Sequence, residues 1–106
     1  MARGMVYVES MPVSPEREAE YHKWYNDIHL PEIVAIDGFV SARRFAPVDG
    51  NGPFVAIYEL DTDDLEAAQH RMSALGRSGQ MSSLEELQTD PPPVTHLYRE
   101  IGSCGP

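Results

Sequence analysis

The sequence has little of what several protein classes require. It contains one cysteine, Cys104, so no disulfide within the chain and no cysteine-based metal site can form. Basic residues number 8 against 17 acidic ones, for a formal net charge of -9. A chain this acidic is repelled by nucleic acids and anionic lipid surfaces. No apolar stretch is long enough for a signal peptide or a membrane span. We therefore expect a cytoplasmic protein without nucleic-acid or membrane partners.

Motifs for several enzyme classes are also missing. Gly50-Asn51-Gly52 lacks the lysine and the following helix of a phosphate-binding loop. There is no Gly-x-Ser-x-Gly elbow of a serine hydrolase. His22 and His29 stand seven residues apart, whereas a helical metal pair normally needs a spacing of four. We therefore predict no metal and no cofactor.

The pattern that remains is that of one small globular domain over residues 1–106. Hydrophobic residues make up 42% of the chain, so a core can form and disorder is not expected. Strands are predicted at Gly4–Met11, Phe39–Val48, Phe54–Leu60 and Val94–Ile101, with helices opened by Ser14-Pro15 and Thr62 and a short helix at Ser82–Glu85. This β-α-β-β-α-β order predicts an α+β, ferredoxin-like fold whose four-stranded antiparallel sheet carries its helices on one face.

Alternation along the strands predicts which side chains lie under the helices. An aliphatic set suits that position: Val6, Val8, Val40, Ala42, Val55 and Ile57. The opposite set mixes aromatic bulk with polar tips: Tyr7, Glu9, Phe39, Ser41, Arg43, Phe45, Phe54, Tyr58, His96 and Tyr98. The second set is too apolar to face water freely. We therefore expect a homodimer that covers this face with a second sheet and closes a cavity there.

The first helix carries the most informative segment, Trp24 to Pro31. Apolar residues at helical spacing form one buried stripe: Tyr21, Trp24, Tyr25 and Ile28. Pro31 is expected to break the helix and leave His29 at its end, off this stripe, with one further turn over Pro31 to Ile36. There His29 is either a general acid or base or a cap on the last carbonyls. On this placement, His29→Ala should cost at most about 1 kcal/mol of stability.

With this order of elements, the chain resembles the EthD-like branch of the dimeric α/β-barrel superfamily. The resemblance rests on Trp24-Tyr25-Asn26, on His29-Leu30-Pro31 and on the strand Gly38 to Phe45. It implies a ferredoxin-like fold that dimerises through its sheets into an α/β barrel. Members of the superfamily include cofactor-free lyases, isomerases and polyketide-cyclase-like proteins, with haem-degrading and quinol-oxidising proteins as more distant relatives.

Two groups of candidate site residues follow. The catalytic candidates are His29, His96 and Tyr98. The substrate-binding candidates are Tyr7, Trp24, Asn26, Arg43 and Tyr58. The place of Trp24 in the stripe favours a core residue over a substrate platform. Arg43 can equally form a structural salt bridge with Glu9.

The leading hypothesis is a small cofactor-free enzyme acting by proton transfer on a hydrophobic, oxygen-bearing small molecule, in a cavity between the sheet and the helices. In this hypothesis His29 moves a proton next to a carbonyl, as a lyase, isomerase or polyketide cyclase requires, and phenol or imidazole groups bind the developing oxyanion. The alternative is a non-catalytic dimeric module that holds a small ligand or haem in the same cavity.

Overall fold

A four-stranded antiparallel sheet forms the centre of the computed structural model, which describes residues 2–78 and 93–105. The strands are β1 (Ala2–Ser10), β2 (Phe39–Phe45), β3 (Phe54–Thr62) and β4 (Val94–Arg99), and their order across the sheet is β2-β3-β1-β4. This order confirms the predicted ferredoxin-like fold. Helices α1 (Glu18–Trp24), α2 (Leu30–Val34) and α3 (Leu65–Ser78) cover one face. None of the described helices is both long and apolar enough to span a bilayer.

The element boundaries differ from the predictions at several strand ends. β3 runs on to Thr62, so the predicted cap of the second main helix belongs to a strand instead. The cap is Asp64, whose Oδ1 accepts a hydrogen bond from the backbone N–H of Ala67 at 3.0 Å. The predicted Asp37-Gly38 turn is confirmed, because Gly38 adopts a φ of 95°. The helix predicted at Ser82–Glu85 lies outside the described residues.

The helical segment after β1 has the predicted further turn after Pro31, but the predicted break at Pro31 is wrong, because the segment runs on without interruption. It begins with a 3₁₀ turn (Pro15–Arg17), continues as α1, widens into a π-helical turn (Tyr25–His29) and ends as α2. The backbone N–H of Leu30 bonds to the carbonyl of Tyr25, five residues earlier. A proline ring collides with the carbonyl four residues before it in a regular α-helix. We infer that the wider turn accommodates Pro31 in the first turn of α2, where its missing N–H is tolerated.

The π turn also changes which side chain faces the sheet. In a regular α-helix, the residue four positions after Trp24 would share its face, and that residue is Ile28. The extra residue per turn brings His29 onto this face instead. Accordingly, Ile28 is 44% exposed, whereas the His29 side chain is 18% exposed. The predicted stripe is therefore right for Tyr21, Trp24 and Tyr25 and wrong for Ile28.

The register of β3 places its side chains on the opposite faces from those predicted. Val6 pairs with Tyr58 and Val8 pairs with Ala56, and directly opposed residues share a face of the sheet. Tyr58 is 1% exposed and belongs to the core beneath the helices. Phe54 lies on the same side, packed against the Tyr21 ring. Val55 and Ile57 therefore lie on the face without helices, called the open face below.

An irregularity in β2 explains why Phe39 and Val40 do not lie on the faces predicted for them. The pairing with β3 shifts between Phe39 and Ser41, which leaves Val40 as an additional residue. Phe39 is consequently buried under the helices, while Val40 is 59% exposed. After the shift the predicted alternation holds. Ser41, Arg43 and Phe45 lie on the open face, and Ala42 and Arg44 lie beneath the helices.

Candidate functional site

His29 is packed among the rings of Trp24, Tyr25 and Tyr58 between the π turn and the sheet, a cluster of side chains called the His29 pocket below. The His29 ring stacks on Trp24, with ring centroids 4.5 Å apart and planes inclined by 18°. The ring of Tyr25 meets it edge-on at 5.1 Å. The Nδ1 atom of His29 is buried and has no hydrogen-bond partner among the described residues, and the same holds for Nε1 of Trp24. A buried polar atom without a partner is costly, so each one calls for a physical explanation, such as a catalytic role or a bound water or ion.

Two phenols adjoin this imidazole. The hydroxyls of Tyr25 and Tyr58 are hydrogen-bonded at 3.2 Å, and both side chains are buried. Burial raises the pKa of Tyr58, so this phenol stays protonated at physiological pH. A pair of hydroxyls uses only one of its two protons between its members. The second proton is therefore available to a ligand oxygen.

The charge state of His29 follows from its burial. Burial lowers its pKa to about 4, and the carboxylate of Glu32, 3.9 Å from Nδ1, opposes this shift without overcoming it. The imidazole is therefore neutral at pH 7 and able to accept a proton. Once protonated, it would be stabilised by the negative charge of Glu32. The arrangement thus combines a neutral base with hydroxyl donors, which are the two groups that enolisation of a carbonyl compound requires.

The pKa of His29 predicts how stability depends on pH. The folded protein binds a proton at His29 more weakly than the unfolded chain does. The contribution of neutral His29 to the free energy of unfolding is therefore complete above pH 6.5 and is lost as the pH falls to about 4. The loss should amount to roughly 3 kcal/mol. Urea unfolding at several pH values will measure this loss. It equals the fall in the free energy of unfolding of wild type between pH 6.5 and 4, minus the corresponding fall for His29→Gln. Parallel pH profiles for the two proteins would contradict the assigned pKa.

The placement of His29 also corrects our expectation for its removal. The side chain is mostly buried and stacked on Trp24, instead of standing free at a helix end. Replacement by alanine would leave a gap beside the indole ring. We now expect His29→Ala to cost roughly 1–3 kcal/mol, more than the helix-end placement implied.

Arg44 forms a second cluster, which the sequence analysis did not identify as functional. Its guanidinium carbon lies 4.4 Å from the ring centroid of Tyr25 and 5.3 Å from that of Tyr21. It donates hydrogen bonds to Oδ1 of Asn26 at 3.0 Å and to Nδ1 of His22 at 3.1 Å. Alternation with Ala42 already placed Arg44 on the helix side, where a positive charge is unusual. A charged residue predicted on the helix side of the sheet is the signal that could have identified Arg44 from the sequence. Asn26, a predicted site residue, is exposed and contributes to this cluster.

Four of the predicted site residues lie on the other side of the sheet from His29. Tyr7, His96 and Tyr98 form a cluster on the open face, with ring centroids 6.0 to 6.4 Å apart. The register fixes this placement, because Tyr7 pairs with His96 and Met5 pairs with Tyr98. Their predicted cooperation with His29 in one cavity is therefore wrong for a single chain. Of the phenols and imidazoles predicted to bind the oxyanion, only Tyr58 lies on the His29 side.

Arg43 also lies on the open face, and its ion-pair partner differs from the one considered. It pairs with Glu59 on the neighbouring strand. Glu9 instead accepts a hydrogen bond from the hydroxyl of Tyr7 at 3.0 Å. A cavity of about 370 Å³ opens here, lined by Met5, Val40, Arg43, Ile57, Glu59 and Tyr98 among others.

Trp24 is a core residue, 8% exposed, and it forms one wall of the His29 pocket. Over residues 2–78 and 93–105, no three histidine, cysteine or acidic side chains come together in a way that could hold a metal ion.

Two solved structures share this architecture. One is a protein from Shewanella loihica PV-4 proposed to be a monooxygenase, with a TM-score of 0.60, 17% identity, and coverage of 97% of this chain and 99% of that one. The other is the monooxygenase from the gene ActVA-Orf6 of Streptomyces coelicolor, solved with the ligand nanaomycin D, with a TM-score of 0.56, 21% identity, and coverage of 97% and 92%. No protein-family description and no curated protein matches the sequence. This chain shares the fold of both structures over almost its whole length.

Proposed function

We propose that this protein is a cofactor-free enzyme that removes a proton from a hydrophobic, oxygen-bearing small molecule. His29 is the proton acceptor, and the Tyr25–Tyr58 hydroxyl pair donates a hydrogen bond to the oxyanion that forms. The observation that carries the proposal is the buried, neutral His29 whose Nδ1 has no described hydrogen-bond partner, beside a phenol pair with a spare proton. We further propose that the chain belongs to the EthD-like branch of the superfamily.

Two classes of reaction begin with this step. Deprotonation next to a carbonyl gives an enolate, from which isomerisation, elimination or cyclisation can proceed. Deprotonation of a phenol or hydroquinone gives an anion that molecular oxygen can oxidise, as a monooxygenase without cofactor requires. The monooxygenase neighbours favour the second class, while the geometry of the site serves both.

A screen for turnover tests the proposal. Lactones, phenols, hydroquinones and polyketide-like ketones are incubated with the purified protein in the presence of a metal chelator and without added cofactor. Products are identified by mass spectrometry, and an oxygen electrode separates oxygenation from isomerisation. We expect turnover of at least one compound. Turnover of none, together with a new haem absorption band on titration with haemin, would favour the binding-module alternative.

We also propose that the protein is a homodimer joined through the open faces of two sheets. Large apolar side chains are exposed on this face: Val40, Phe45, Val94 and Tyr98. They lie on the two outer strands, β2 and β4, and exposed apolar side chains on an uncovered sheet face commonly mark an interface. In a dimer the cluster of Tyr7, His96 and Tyr98 would lie between the subunits.

Light scattering at micromolar concentration should therefore report a dimer. Phe45→Glu places a charge on the open face and should shift the protein towards the monomer. Val48→Glu is the matched control, because Val48 is fully exposed in the turn after β2 and should leave the dimer intact. A wild-type monomer would contradict the proposal.

A further inference from the structure

Arg44 is a half-buried cation whose described partners are all uncharged or aromatic. It contacts the rings of Tyr21, Tyr25 and Phe54 and bonds to an amide and an imidazole. In the described part of the chain, no carboxylate lies within ion-pair distance of it. This is unusual for a protein with 17 acidic and 8 basic residues, because most arginines could find an acidic partner on such a surface.

The hydrogen bonds of Arg44 orient it without neutralising it. A guanidinium can only donate, so Nδ1 of His22 is the acceptor and the ring proton sits on Nε2. That Nε2 lies 3.5 Å from the carboxylate of Glu18, one helical turn earlier. Asn26 holds the other arm of the guanidinium through its Oδ1. These two bonds and a hydrogen bond to the hydroxyl of Tyr21 occupy three of the five N–H donors, so among the described residues at most two remain for a ligand.

The position of Arg44 links it to the His29 pocket through one shared ring. The guanidinium lies over the Tyr25 ring, while His29 meets the same ring edge-on. Arg44 bonds to the exposed Asn26, whereas His29 is largely enclosed. A ligand that contacts both groups would therefore extend from the exposed edge of the cluster inward along Tyr25.

We propose that Arg44 binds a carboxylate of the substrate, so that the substrate class is an aromatic or fused-ring carboxylic acid. The planar fork of an arginine matches a carboxylate with two parallel hydrogen bonds. The surrounding rings suit the flat body of such a molecule. This inference rests on the proposed function, because the carboxylate anchors the same molecule whose proton His29 accepts. Arg44 is then a binding and positioning residue, and His29 is the catalytic one.

Matched probes test the charge requirement. Naphthoate and naphthamide have the same ring system and differ in the carboxylate. Their dissociation constants are measured by calorimetry, with the fluorescence of Trp24, the one tryptophan of the chain, as a second readout. We expect wild type to bind naphthoate more tightly than naphthamide by on the order of tenfold.

Three variants then locate the source of this preference. Arg44→Gln should raise the dissociation constant of naphthoate by on the order of tenfold and change that of naphthamide by less than about twofold. Arg44→Lys keeps the charge but loses the planar fork, so it should fall between wild type and Arg44→Gln. Arg77→Gln is the control, because Arg77 is exposed near the end of α3, takes no part in the proposed site and should change neither constant. Melting temperatures establish that each variant is folded.

The outcomes separate this inference from the proposed function. Equal affinity of wild type for the two probes, or no binding of naphthoate at millimolar concentration, would overturn the carboxylate site. An equal loss of affinity for both probes in Arg44→Gln would also overturn the carboxylate site, because it would show that Arg44 acts through packing. In His29→Gln the preference for naphthoate should persist. If that variant also retained turnover, the catalytic role of His29 would fail while the carboxylate site stood.

Discussion

Replacing His29 with alanine should lower turnover by on the order of a hundredfold or more. The imidazole is the one neutral base in the pocket formed by Trp24, Tyr25 and Tyr58 among the described residues, and alanine cannot accept a proton. Steady-state kinetics on a compound found in the substrate screen will measure the effect. Because the pKa of His29 is lowered to about 4, kcat/KM of wild type should stay nearly constant between pH 5.5 and 7 and fall towards pH 4.

His70→Ala is the matched control for this prediction. His70 lies on α3, is exposed, and takes no part in the proposed site. His29→Gln adds a second comparison, because it fills more of the space beside Trp24 than alanine does. Wild-type turnover in both His29 variants would remove His29 from the mechanism. The hydroxyl pair would then become the next group to test, through Tyr58→Phe.

Replacing Trp24 with alanine should lower the free energy of unfolding by roughly 3–5 kcal/mol. The indole is 8% exposed, stacks on His29 and meets Tyr25 edge-on at 5.2 Å. Its removal would therefore open a cavity between the π turn and the sheet. Urea denaturation followed by far-ultraviolet circular dichroism will measure the change.

Ile28→Ala is the control for Trp24, because the two residues belong to the same apolar stripe in the sequence. Ile28 is 44% exposed, and its truncation should cost less than about 1 kcal/mol. A Trp24→Ala protein with an unchanged melting temperature would show that the indole lines an open site and supports no core. A large loss of stability in Ile28→Ala would contradict the π turn, since a regular α-helix would bury that residue.

The fold could be predicted from the sequence because its signals are local. β-branched and aromatic runs, turn residues such as Gly38 and the spacing of Tyr21, Trp24 and Tyr25 each depend on a few neighbours. Together they specify the order of elements, and few topologies suit that order. The predicted role of His29 needed the resemblance as well, since its spacing left a helix cap equally open.

The faces of the strands could not be predicted in the same way. An extra residue at Val40 and the register of β3 depend on pairing between distant segments, and one residue of slip exchanges the two faces. The π turn has the same effect on the helix, where it exchanges Ile28 for His29. Both errors moved chemically important side chains. Tyr58 lies with His29 beneath the helices, while Tyr7, His96 and Tyr98 lie on the face predicted for them, on the other side of the sheet.

Arg44 was missed for a related reason. An arginine in a strand is ordinarily a surface residue, and nothing in the neighbouring sequence shows that its partners are Asn26 and His22 on a helix 18 and 22 residues earlier. The alternation of Arg44 with Ala42 was the one indication that it lies on the helix-covered face. Charge on the helix-covered face of a sheet is therefore a useful signal for a binding site in folds of this kind.

A crystal structure of the protein with a bound substrate or naphthoate tests the central claim most directly. The account predicts that the ligand lies between the helices and the sheet, with an oxygen near His29 and the Tyr25–Tyr58 pair and the carboxylate on Arg44. A ligand bound instead on the open face, in the cavity beside Arg43 and Tyr98, would contradict it.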